Sequence, residues 1–201
     1  NINSSTDGAS GEIQPSSGCT DALSVPAQGN GESQRDGRKW VVHNAFASGV
    51  INYPVLSDQA DASNYPSIFL ALVMDTQANG ATVNSEDVFI NPSTVSTAMM
   101  PQPLRNLENT KRFRVLAHAT IQPPNVYALN DAAATGSIDT GYNPTWSLSW
   151  RSKKGIVCHS LNTTADVASV ADNAIHLIGY ADAVTVVQPT LIGKCRVRFT
   201  G

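Results

Sequence analysis

Charge is scarce in this 201-residue chain: Lys, Arg, Asp and Glu make up 14% of it, against 41% hydrophobic residues. Such a balance excludes a disordered polyelectrolyte and describes a folded, sparsely charged globule. No apolar run approaches the eighteen or so residues that a membrane-crossing helix needs, so membrane insertion is not expected. The opening segment NINSSTDGASGE has neither the positive region nor the apolar stretch of a signal peptide, which leaves secretion unsupported. Cysteine is rare as well. Cys19, Cys158 and Cys195 are odd in number and lie in unrelated contexts, so a disulfide framework is not expected, and reduced, buried thiols suit an intracellular site of folding.

Chemistry-bearing motifs are missing too. There is no nucleophile elbow, phosphate loop, dinucleotide fingerprint or paired Cys/His metal spacing. His43, His118, His159 and His176 sit singly in separate strand-like segments. Asp58 with Asp61, and Glu86 with Asp87, follow no recognised ligand spacing. The expectation is a protein that is not an enzyme and uses no cofactor and no metal.

What is present is strand signal, with most of the basic charge gathered in a few places. All thirteen Lys and Arg residues fall in four groups: Arg35, Arg38 and Lys39; Arg105, Lys111, Arg112 and Arg114; Arg151, Lys153 and Lys154; Lys194, Arg196 and Arg198. The net charge of −3 argues against a surface that is basic throughout. Residues 1–11, rich in Ser, Asn and Gly, read as a flexible tail, and 12–201 as one domain. KWVVHNAFASGVINY predicts a long strand, with Gly49 marking a bulge or bend. SIFLALVMDT predicts a central strand covered on both faces. NSEDVFI predicts a short helix capped by Asn84, with Glu86 and Asp87 at its positive end. In KRFRVLAHATI, alternation sets Phe113, Val115, Ala117 and Ala119 against Arg112, Arg114 and His118. TWSLSW, GIVCHSL, NAIHLIGY, VTVVQP and KCRVRFT continue the series after a loop from Gln122 to Pro144. The sum is an all-β chain: a single eight-stranded jelly-roll sandwich with short helical turns in its loops. In KCRVRFT, Lys194, Arg196 and Arg198 share one face, and Cys195, Val197 and Phe199 the other, so one side packs the core while the other presents three positive charges in a row.

The succession GESQRDGRKWVVHNAF, IFLALVMDTQANGATVNSEDVF and LRNLENTKRFRVLAHATI resembles the capsid proteins of small circular single-stranded DNA viruses that encode their own replication initiator. A similar succession occurs in the coat protein of satellite tobacco necrosis virus. The resemblance covers Gly31 to Ile121 and, by strand order alone, the carboxyl half. It implies a structural viral capsid protein that self-assembles into an icosahedral shell of about sixty copies around a single-stranded DNA genome. That would be a virion component assembled inside the host cell, in the nucleus, with a host receptor that is unknown.

Under this resemblance Arg35, Asp36, Arg38 and Lys39 fall at a subunit interface, and Lys194, Arg196 and Arg198 face the genome. The alternatives are a solvated turn for the first group and edge charges that discourage aggregation for the second. Such capsid proteins carry an Arg-rich amino-terminal arm, whereas no basic residue precedes Arg35 here, so a further basic segment upstream is expected. The rival reading is a carbohydrate- or receptor-binding jelly roll that forms a small oligomer, with Trp40, Trp146, Trp150 and Tyr142 as sugar-stacking platforms.

Overall fold

The computed structural model describes residues 3–12, 19–23, 25–53, 66–90, 103–122, 143–181 and 189–201. The chain forms strands β1 (Asn3–Glu12), β2 (Cys19–Ala22), β3 (Lys39–Asn52), β4 (Ile68–Asp75), β5 (Phe113–Ile121), β6 (Thr145–Ser160), β7 (Val170–Asp172), β8 (Ala174–Ala181) and β9 (Thr190–Thr200). Helix α1 (Ser85–Val88) follows β4, and 3-10 turns occupy Leu107–Asn109 and Val167–Ser169. A five-stranded sheet has the order β1-β9-β3-β6-β7, and a four-stranded sheet the order β2-β8-β4-β5. Every pairing between these strands is antiparallel. The chain crosses between sheets after β1, β2, β3, β5, β7 and β8, which is the double Greek key of a jelly roll. The all-β sandwich is as the sequence predicts, with nine strands among the described residues where eight are expected. The shortest, β7, has three residues and sits at a sheet edge.

Between the sheets lies the main core. β3 contributes Trp40, Val42, Ala45, Ala47 and Ile51, β4 Leu70 and Leu72, β8 Ile175 and Leu177, and β9 Leu191, Cys195, Val197 and Phe199. Each large side chain here contributes on the order of 1.5–3 kcal/mol by leaving water. A second, smaller core covers the outer face of the four-stranded sheet. Phe69, Ala71 and Val73 of β4, Ile178 and Tyr180 of β8 and Phe113 of β5 pack with Val83, Val88 and Phe89. β4 is therefore buried along its full length, as its unbroken apolar sequence requires. The short helix is where the sequence places it: the Asn84 side chain accepts a hydrogen bond from the Glu86 N–H at 3.3 Å, and Glu86 and Asp87 occupy the first turn.

Several expectations are corrected. Residues 3–12, read as a tail, run as β1 along β9, from Asn3 opposite Phe199 to Glu12 opposite Thr190. Their Ser- and Gly-rich sequence has little strand propensity. The pairing instead follows from the edge of β9 that β3 leaves open, whose backbone groups need partners. TWSLSW and GIVCHSL are one strand, β6, interrupted by a bulge over Ser152–Gly155, with Gly155 at φ +72°. Gly49 is not a bulge. It pairs regularly with Gly193 and Trp146, and the irregularity of β3 falls at His43. In β5 the alternation breaks at Leu116, because Leu72 pairs with Ala117 and Val73 with Val115. Phe113 and Val115 thus join the outer core, while Leu116, Ala117, Ala119 and Ile121 pack on the inner one. VTVVQP and the loop from Gln122 to Pro144 fall largely outside the described residues, as do Asp58, Asp61 and Tyr142 entirely.

Candidate nucleic-acid interface

The last strand divides as its alternation predicts. Cys195, Val197 and Phe199 are buried between the sheets, and Lys194, Arg196 and Arg198 are exposed on the opposite side. Register then determines what surrounds them, since residues directly opposite on neighbouring strands share a face. Arg198 lies opposite Asn44 of β3, which lies opposite Arg151 of β6; Arg196 is followed in the same way by Phe46 and Ser149, and Lys194 by Ser48 and Ser147. Nine side chains form a three-by-three grid on the outer face of the five-stranded sheet, spaced about 4.8 Å across strands and about 6.7 Å along them. Lys153 continues the outward side of β6, and Lys154 lies exposed in the adjoining bulge.

Charge is divided sharply. β3, β6 and β9 hold seven of the thirteen cations, Lys39, Arg151, Lys153, Lys154, Lys194, Arg196 and Arg198, and no Asp or Glu; the rest of the chain holds six cations and all sixteen acids. Among the described residues none of the seven forms an ion pair. The edge strands of this sheet do carry acids: Asp7 and Glu12 lie on β1, opposite Cys195 and Thr190, and Asp172 on β7 is held by His159, whose Nδ1 lies 2.9 Å from both carboxylate oxygens. Glu86, Asp87 and Glu108 sit on and near α1, on the far side of the sandwich.

Of the six basic residues elsewhere, Arg38, Lys111 and Arg114 are exposed, and Arg35, Arg105 and Arg112 are tied into the fold by hydrogen bonds. Arg112 donates to Asp75 through Nε and Nη2, both at 2.8 Å, and its guanidinium lies 4.8 Å from the centre of the Phe113 ring. The hydrogen bond to Asp75, more than any other contact, raises the pKa of Arg112. Arg105 donates to the Phe113 carbonyl at 2.9 Å.

Arg35 departs furthest from expectation. It is fully buried within the chain and therefore does not face another subunit. Its Nε donates to the Pro26 carbonyl at 3.0 Å, Nη1 to the Gly37 carbonyl, and Nη2 to Ser160 Oγ at 3.0 Å and to the Asn162 carbonyl. The guanidinium also lies 5.3 Å from the centre of the Trp40 ring. Burial first, and the charge of Arg38 second, lower its pKa. Its role is to fasten the loop before β3 to the end of β6. Asp36, Arg38 and Lys39 remain exposed.

The sugar-stacking alternative loses its three tryptophan platforms, and its fourth, Tyr142, lies outside the described residues. Trp40 is 1% exposed and Trp146 5%, both in the inter-sheet core, and Trp150 packs against that core. The histidines have separate surroundings: His43 contacts Thr200 Oγ1 at 3.1 Å, His118 stacks on Phe69, His159 holds Asp172, and His176 is buried. Sequence reasoning missed the grouping of Phe46 and Arg151 with the β9 row. The alternation of SLSWR signals an outward Arg151, but no local signal tells which distant strand lies alongside.

No family model matches the chain, and no curated protein matches it. Among solved structures it is similar to one described as "Crystal structure of 60-mer BFDV Capsid Protein", with a TM-score of 0.31 and 7% identity over 99% of this chain and 92% of that one. A likeness at that TM-score carries no argument, so the charge-divided face of the sandwich is the feature from which function is read.

Proposed function

We propose that the chain is a non-catalytic capsid subunit: a jelly roll that assembles with copies of itself into a closed icosahedral shell and turns its five-stranded sheet toward an enclosed single-stranded DNA genome. One observation carries this reading, the collection of seven cations without a single acid on β3, β6 and β9 of a chain whose net charge is negative. A uniformly solvated surface intersperses both signs. A face of one sign attracts a polyanion and concentrates it by releasing counterions. In a virion such a face belongs on the inside, with the acid-bearing side around α1 directed away from the genome.

Two measurements test the proposal. Replacing Lys194, Arg196 and Arg198 together by Gln leaves the core untouched, reduces the nucleic acid that co-purifies with the protein, and lowers the salt slope of single-strand binding by about 0.7 per lost contact, about 2 in all. An unchanged slope would make the row mere surface charge. Light scattering or negative-stain microscopy at high protein concentration reads out assembly, with particles of about sixty copies expected for the smallest icosahedral shell. A strictly monomeric species at moderate salt would defeat the capsid assignment.

A further inference from the structure

Phe46 stands at the centre of the grid. It is 40% exposed on the middle strand of the five-stranded sheet, with Arg196 opposite on one side and Ser149 on the other. The remaining places hold Arg198, Asn44, Arg151, Lys194, Ser48 and Ser147, so Phe46 is the one apolar side chain among four cations and four small polar residues. Among the described residues no ring stacks on it and no guanidinium lies over it. An exposed phenyl ring normally costs solubility without return. Here its neighbours are spaced to hold phosphates on either side of it, since the cations of β9 repeat about every 6.7 Å, comparable to the phosphate repeat of an extended single strand.

We propose that Phe46 is a base-stacking platform: the backbone of a single-stranded nucleic acid runs along Lys194, Arg196 and Arg198, with Arg151 holding a phosphate across the sheet, and an unstacked base lies flat on the Phe46 ring. This deepens the genome-facing reading of the same sheet and rests on it. Stacking on an aromatic ring is tolerant of sequence, because every base has a π face. It also discriminates against duplexes, whose bases are already stacked on one another. Asn44, Ser48, Ser147 and Ser149 leave room around the ring and offer hydrogen bonds to base edges or sugars.

The test compares the full chain with Phe46→Ala, Phe46→Trp and the triple Gln variant of the β9 row. Probes are a short oligothymidylate, an abasic oligomer with the same number of phosphates, and the corresponding duplex. Phe46→Ala is expected to weaken thymidylate binding roughly fivefold to a hundredfold, to leave the abasic oligomer and the salt slope unchanged, and to erase the preference for single strand over duplex. Phe46→Trp keeps the preference, and its indole fluorescence is quenched on binding. The triple variant weakens both single-stranded probes and flattens the slope.

If Phe46→Ala binds thymidylate as tightly as the parent while the triple variant does not, the stacking proposal fails and the phosphate-binding face stands. If neither variant changes binding, both fail. A change in particle size without a change in affinity would make Phe46 a contact between copies, which also overturns the proposal. Oligouridylate in place of thymidylate distinguishes RNA from DNA as the source: equal losses in Phe46→Ala are expected on both, and a parent preference above about tenfold for one sugar would show a contact beyond base and phosphate.

Discussion

Arg35 and His176 show how far a side chain's role depends on what the chain wraps around it. Both are fully buried, yet one is saturated with partners and the other has none among the described residues. Removing the Arg35 guanidinium takes the donor from the carbonyls of Pro26 and Gly37, while the Asn162 carbonyl and the Ser160 hydroxyl keep their own hydrogen bond at 2.8 Å. Arg35→Met is therefore expected to cost about 3 kcal/mol in urea unfolding, and Arg38→Met, at an exposed neighbour, less than about 0.5 kcal/mol. His176 is held neutral, with its pKa lowered from 6.5 to about 4, first by burial; Arg112 lowers it further and Asp75 opposes the shift. The unfolded chain takes up a proton near pH 6.5 and the folded chain only near pH 4, so stability is lost as pH falls through that window. Across the whole window the loss is about 3 kcal/mol. Thermal melts from pH 7 to 4 check this, with His176→Leu removing that part of the decline. Neither role is legible in the sequence. QRDGRK reads as a solvated turn because its buried acceptors lie on Ser160 and Asn162, and AIHLIG gives no hint that both nitrogens of its histidine are shut away from solvent.

Strands whose neighbours impose no irregularity are the ones that sequence describes well. β4 is apolar because both faces are covered, α1 begins at Asn84 because that side chain caps it, and β9 alternates because one face is wet. β3, β5 and β6 were less legible because a bulge moves every later side chain to the other face, and its position is chosen by the partner strand. The Gly49–Gly193 pair within the β3–β9 ladder has a different cause from the bend that Gly49 suggests. A Cβ on Gly193 would lie 2.7 Å from Trp146 Cζ2 and 2.9 Å from the Ser48 carbonyl, so the tryptophan packs into the notch that glycine leaves. Gly193→Ala should cost about 1–3 kcal/mol and change Trp146 emission. Gly37→Ala, where nothing lies within 4 Å, is its near-neutral control. Calorimetry with fluorescence reads both.

At the scale of the whole molecule, the three inner strands of the larger sheet, β9, β3 and β6, carry seven cations and no acid, although the sequence pI is about 5.7. At pH 8 the chain is therefore expected to be retained on immobilised heparin despite its net negative charge, and the triple Gln variant of β9 to elute well before it in a salt gradient. Retention equal to the parent's would show that the cations are too dispersed to act together. The same strand has a second property, which concerns time. β9 fills the slot between β1 and β3, and among the described residues β1 pairs with no other strand. On the ribosome Asn3–Glu12 emerges early and waits for a partner more than 170 residues downstream, while β3 keeps one edge open. Translation must deliver Thr190–Thr200 before the five-stranded sheet can close, and the closing segment itself carries Lys194, Arg196 and Arg198. If the proposed function holds, a nascent chain has no finished polyanion-binding face to offer other nucleic acids, because the residues that would attract a genome arrive with the strand that completes the fold.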